Sequence, residues 1–204
     1  MPARPASIVS RDVATRAKGL LQHVGRLEGA YRAGHVSLRD VEWMYGGSLL
    51  YFFAFAERSI ERLFYGLLTG QLAASQRNVK PAITVRSRQV AVRIVTGGRP
   101  FVDWLPYKWT QERAADFFAG GRPFSNLTPS DKEAFHRLTV IRNALAHESK
   151  EALTKYEASC IDHRGIVPSQ RRPNPYLRGL HSAQQTRLDY LMSDVVGIIR
   201  RLSA

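Results

Sequence analysis

Cysteine is almost missing from this chain: Cys160 is the single one among 204 residues. An internal disulfide framework and a zinc site built on several cysteines are thereby ruled out, and such usage fits a reducing compartment. Long apolar runs are missing too. The most apolar stretch, Gly46 to Ala56, is about half of the roughly 20 residues that span a bilayer. It reads as a buried core helix, so no membrane partner is expected. The opening Met1-Pro2-Ala3-Arg4-Pro5 has no apolar run behind it, so no secretory signal is expected and the expected location is cytoplasmic. Also missing are a glycine-rich phosphate loop, a His-Glu-x-x-His helix and an aspartate pair at metal-ligand spacing. No metal and no organic cofactor are implied.

Acidic residues are scarce. Seventeen Asp and Glu face thirty Lys and Arg, a formal net charge of +13. A surface of that sign attracts polyanions, nucleic acid before anionic membranes or acidic proteins. Charge alone is equally compatible with a solvated basic surface, and it carries no sequence specificity. Hydrophobic residues make up 44%, which is ordinary for a folded globular chain. The length suits one domain over residues 1–204, and no internal repeat is visible.

Apolar residues at three-to-four spacing predict a first helix over 10–33, from Val13 to Leu27, closed by Gly34. Ser37 and Asp40 have the spacing of a capping box before a second, central helix over 41–68. Gly46-Gly47 inside it marks a kink or the close approach of another backbone. Glu57 falls within the apolar face formed by Leu49, Phe53, Ile60, Phe64 and Leu67. A carboxylate there needs a partner. It either reaches solvent or Arg58 at the edge of the stripe, or orients a catalytic Arg or His.

Residues 77–125 change character and read as an insertion. Val85, Val90, Val92, Ile94 and Val95 predict a short strand or β-hairpin around 81–96. Arg77, Lys80, Arg86, Arg88, Arg93 and Arg99 have no acidic residue among them, and Phe101, Trp104, Tyr107 and Trp109 follow. Basic groups beside aromatics suit single-stranded nucleic acid; the alternative is that the aromatics cover a helical core. A short helix around 111–119 stops at Gly120-Gly121. Thr128-Pro129-Ser130-Asp131 starts a strong helix, which runs at least to His147 and at most to Tyr156. A basic, proline-containing loop spans 161–180, with Arg164, Arg171, Arg172 and Arg178, and a last helix covers about 183–202.

The helix from Thr128 carries Ile141-Arg142-Asn143-Ala144-Leu145-Ala146-His147. At about 100° per residue, Leu138, Ile141 and Leu145 form a core face, while Arg142, Asn143 and His147 share an arc turned away from it. A guanidinium grips phosphate oxygens in pairs and stays charged. A histidine exchanges protons near neutral pH. Together they suit metal-free RNA cleavage by internal attack of the 2′-hydroxyl. One histidine is short of one proton-transfer group, which a second copy of the motif in a dimer, or His136 on the same stripe, would supply. His23, His35, His163 and His181 are scattered and read as surface or structural residues.

The run Leu138-Thr139-Val140-Ile141-Arg142-Asn143-Ala144-Leu145-Ala146-His147 resembles the signature helix of the HEPN superfamily. Its motif is an arginine, four to six residues beginning with a polar one, and a histidine. The resemblance covers 128–150 best and extends loosely to 41–68 and 183–202. It implies an all-α, four-to-five-helix up-and-down bundle. It also implies a homodimeric, metal-independent endoribonuclease with an active site shared between protomers, in a toxin–antitoxin or other defence setting with an antitoxin or other regulatory partner. Arg142 and His147 would be catalytic and Asn143 supporting. Glu57 and His136 are added from the helical wheel, and Arg86, Arg88, Arg93, Arg171 and Arg172 as RNA-binding residues. One subgroup carries a tyrosine two residues after the histidine, where this chain has Ser149. The alternative within the same fold is a non-catalytic module that binds RNA or a protein.

Overall fold

A computed structural model describes residues 2–75, 79–147, 149–161 and 165–204. Arg77, His163 and Arg164 lie outside the described residues. The described residues are mostly helical, 69% of them, with two small strand pairs. The helices are α1 (Ser7–Arg32), α2 (Leu38–Leu68), α3 (Arg88–Thr96), α4 (Tyr107–Phe117), α5 (Pro129–His147), α6 (Lys150–Tyr156), α7 (Pro173–Arg178) and α8 (Arg187–Leu202). Strands β1 (Arg4–Pro5) and β2 (Leu72–Ala73) pair in parallel. Strands β3 (Leu180–Ser182) and β4 (Gln185–Thr186) pair antiparallel. No helix among the described residues is long and apolar enough to cross a membrane.

Contacts divide the chain into two compact units. One holds Met1–Ala14, Phe55–Phe135 and Val195–Ala204, the other Thr15–Ala54 and His136–Asp194. Helices α1, α2, α5 and α8 each contribute residues to both.

The first unit is built on aromatics. Phe64 of α2 lies 4.9 Å from Trp104, 5.0 Å from Phe118 and 5.3 Å from Phe124, between ring centres. Tyr107 stacks on Phe135 at 4.8 Å. Edge-to-face and offset pairs of this kind add to the area they bury. The aromatics after residue 100 therefore split: Trp104 and Tyr107 cover core, whereas Phe101 and Trp109 are exposed. Glu57 is half-buried, and its Oε1 accepts from the backbone N–H of Trp104 at 3.0 Å and Leu105 at 3.2 Å. It satisfies two donors of the inserted segment, which is why a carboxylate is tolerated on that face.

The expected strand or hairpin around 81–96 is corrected: residues 88–96 form helix α3. Its caps outweigh β-branched propensity. The Ser87 side chain accepts from the Val90 N–H, and Gly97, at φ 59°, closes the helix with its N–H on Arg93 and Ile94 carbonyls. Ala91 and Val95, one helical turn apart, are buried, while Val90 and Ile94 face solvent. The real strand pairs lie elsewhere. The last helix starts at Arg187 rather than near 183, because β3, β4 and the turn between them take residues 180–186. Thr186 Oγ1 then accepts from the Asp189 N–H at 3.2 Å.

In the second unit the capping box at Ser37 forms as expected. Its N–H reaches Asp40 Oδ2 at 2.9 Å, and Asp40 N–H returns to Ser37 Oγ at 3.3 Å. Helix α2 runs unbroken through Gly46-Gly47. At Gly46 a β-carbon would sit 2.1 Å from Asn174 Oδ1 and 3.2 Å from Leu145 Cδ2, so this glycine serves close approach. Glu28 accepts from Arg178 Nε at 2.8 Å and Nη2 at 3.2 Å, and from the Tyr45 hydroxyl at 3.1 Å. Burial pushes the Glu28 carboxyl up, but the Arg178 hydrogen bond and charge outweigh it and hold the group below its ordinary range.

Candidate active site

Helix α5 begins where its sequence directs. Thr128 N–H reaches Asp131 Oδ2 at 3.1 Å and Asp131 N–H reaches Thr128 Oγ1 at 3.2 Å. Leu138 and Ile141 are fully buried and Ala144 nearly so, which fixes the roll of the helix. Arg142 and Asn143 are then half-buried and His147 exposed, in the last turn. The helix stops at His147 rather than running to Tyr156. Ser149 starts α6 instead, its side chain accepting from the Ala152 N–H at 3.2 Å.

The three polar residues of the motif meet. Arg142 Nη1 donates to Asn143 Oδ1 at 2.9 Å and lies 3.3 Å from His147 Nε2. A guanidinium has only hydrogens to offer. The Nε2 facing it must accept, which leaves the neutral imidazole's proton on Nδ1. The Arg142 guanidinium also lies over the Phe53 ring, 5.2 Å from its centre. Next to the motif is a cavity of about 200 Å³ lined by Asn143, His147, Ser149, Glu151 and Lys155, among others. Small-molecule sites run to about 300–1,000 Å³, so this cavity suits one phosphate-sized group rather than a nucleotide. Lys155 Nζ contacts Glu151 Oε1 at 2.6 Å, and that hydrogen bond and charge hold the Glu151 carboxyl below its ordinary range.

His136 and Glu57 are not brought to this group. His136 sits eleven residues upstream on the same helix, about 16 Å along the axis at about 1.5 Å per residue. Its Nε2 is 3.3 Å from Ser159 Oγ. Glu57 is engaged by the backbone of residues 104 and 105. The five arginines expected to bind RNA are all exposed: Arg86, Arg88 and Arg93 belong to the first unit, Arg171 and Arg172 to the second. Arg88 does find a carboxylate, 3.5 Å away in Glu61 of α2. Arg171 Nε donates to the Ile166 carbonyl at 3.4 Å. His181 stacks on Tyr190 at 3.7 Å and His23 bonds Arg26. Among the described residues, no three His, Cys, Asp or Glu side chains converge as metal ligands would.

Sequence reasoning missed Phe53 as the platform under Arg142, and Ser149, Glu151 and Lys155 as walls of the cavity. Ser149 before Lys150-Glu151-Ala152 is itself a helix-start signal. Nothing in the sequence signals the pairing of Phe53 with Arg142. No protein-family model, curated protein or solved structure matches this chain.

Proposed function

We propose that this chain is a metal-independent endoribonuclease of HEPN type, with Arg142, Asn143 and His147 as its catalytic group. The observation that carries the reading is the convergence of Arg142 Nη1 on Asn143 Oδ1 and His147 Nε2, at 2.9 and 3.3 Å. In the proposed reaction the 2′-oxygen of a ribose attacks the adjacent phosphorus and the P–O5′ bond breaks. The products are a 2′,3′-cyclic phosphate and a free 5′-hydroxyl. Arg142 transfers its N–H from His147 to a phosphate oxygen, where it stabilises the charge of the pentacoordinate phosphorus. That exchange frees Nε2 to take the 2′-hydroxyl proton, or, once protonated, to give one to the leaving 5′-oxygen. Asn143 fixes the guanidinium through its Oδ1.

The second proton-transfer group comes from a second copy of the chain. His136, about 16 Å away along α5, does not reach the same phosphate. A homodimer with a composite site is therefore part of the proposal. So are cytoplasmic action on RNA, a role as toxin or defence effector, and control by an antitoxin or other regulatory protein. Ser149 stands where one subgroup has its modified tyrosine, so control through that residue is not proposed.

One observation favours a second reading, a non-catalytic RNA-binding module: His147 Nε2 is already engaged by Arg142. The two readings separate on labelled RNA incubated with chelator, followed by analysis of the product ends. The ribonuclease predicts 2′,3′-cyclic phosphates that vanish with Arg142→Ala. Binding without new ends, or activity lost on chelation, supports rejecting it.

A further inference from the structure

The first unit contains an open cleft of about 670 Å³ lined by four arginines: Arg4, Arg62, Arg86 and Arg88. Arg4 comes from β1, Arg62 from α2, Arg86 from the segment leading into α3 and Arg88 from the first position of α3. The parallel pairing of β1 with β2 sets one wall. The Arg4 N–H donates to the Gln71 carbonyl at 3.0 Å and the Ala6 N–H to the Ala73 carbonyl at 2.8 Å. Gly66 lets β2 lie against α2, since a β-carbon there would come within 2.4 Å of the Leu72 side chain.

The charges in the cleft do not cancel. Arg62 pairs with Asp12 at 2.6 Å and Arg88 with Glu61 at 3.5 Å. Among the described residues no carboxylate lies within 4.0 Å of Arg4 or Arg86, and both are exposed. Four guanidiniums against two carboxylates leave an excess of two positive charges. None of the described side chains lining the cleft is aromatic, so it offers no surface on which a base could stack. Arg88 lies over the buried Tyr65 ring, 5.4 Å from its centre, and guanidiniums gathered in a cleft with no exposed aromatic wall match phosphate oxygens.

We infer that this cleft holds consecutive backbone phosphates of a single-stranded polynucleotide and does not read its bases. Only the choice of RNA as the natural strand rests on the proposed ribonuclease function. The binding claim is independent of it and is tested on a strand that cannot be cut by 2′-oxygen attack.

The experiment uses the full chain and fluorescein-labelled 12-residue strands of deoxythymidylate, deoxyadenylate and 2′-O-methyluridylate, none of which has a free 2′-hydroxyl. Affinity is measured by anisotropy across a salt series. Each phosphate contact on a single strand contributes about 0.7 to the slope of log K against log salt. Arg4→Gln with Arg86→Gln should therefore flatten the slope by about 1.4, as two such contacts require, and equally on all three strands. Lys18→Gln with Lys132→Gln removes the same charge from exposed sites outside the cleft and should leave the slope near that of the wild type. An unchanged slope in the arginine variant, an equal loss in the lysine control, or a loss confined to one base overturns the inference. RNA cleavage with an unchanged arginine slope would reject the cleft while leaving the ribonuclease reading standing. A flattened slope without cleavage would do the reverse.

Discussion

Arg142 is held from three sides, by Asn143 Oδ1, by His147 Nε2 and by the face of Phe53. A lysine in its place keeps the charge but loses the planar fork and most of the stacking. Arg142→Lys is therefore expected to cut the cleavage rate by at least about tenfold, with melting temperature nearly unchanged because the position is half-buried. A lysine variant with wild-type rate would show that charge alone suffices there. The arc of Arg142, Asn143 and His147 was legible because all three sit on one helix, where spacing sets geometry. Phe53 was not legible, since its position under Arg142 depends on how distant segments pack.

Glu28 and Arg178 make the same point, being 150 residues apart. The folded-state pKa of Glu28 lies below its unfolded value of about 4.5. The pair's contribution, about 1.5–3 kcal/mol for a charge-assisted bond, is therefore fully present above that pH. It is lost as pH falls from there through the lowered folded value. Glu28→Gln should weaken the protein at pH 7 and flatten its stability profile in that acid window. Denaturant unfolding at several pH values measures this, and an unchanged acid slope would exclude the pair as the cause.

At the scale of elements, two glycines should respond to alanine in opposite directions. At Gly19 in α1 an added β-carbon meets nothing within 4 Å, so Gly19→Ala should gain up to about 1 kcal/mol of helix stability. At Gly66 it would meet Leu72 from Cδ1 back to Cβ, and overpacking costs about 1–3 kcal/mol. Gly66→Ala should therefore lower the melting temperature. A rise would mean that β2 moves aside without cost. The long helices were legible in the sequence because both their period and their caps announce them: Ser37 with Asp40 and Thr128 with Asp131 form as their spacing suggests. Helix α3 was misread because alternating β-branched residues imitate a strand, while the deciding signals, Ser87 and Gly97, lie just outside them. The turn of β3 into β4 carried no comparable signal.

At the scale of the whole molecule, the +13 charge and the exposed arginines of both units predict RNA binding that weakens steeply with salt. The proposed composite site predicts a solution mass of twice the 23.0 kDa chain, which light scattering would measure. A monomer that still cleaves would remove the shared site and return the missing proton-transfer group to this chain, with Lys155, which lines the cavity, the side chain to test. Whether Arg142, Asn143 and His147 form a reacting group, as proposed, is decided by a time course on mixed RNA with chelator present. Wild type should cut progressively, and His147→Ala, altered at an exposed position, should stay folded and fall by about 10²–10⁴-fold. Equal cutting by both proteins, or none by wild type, would rule out that role for the three residues.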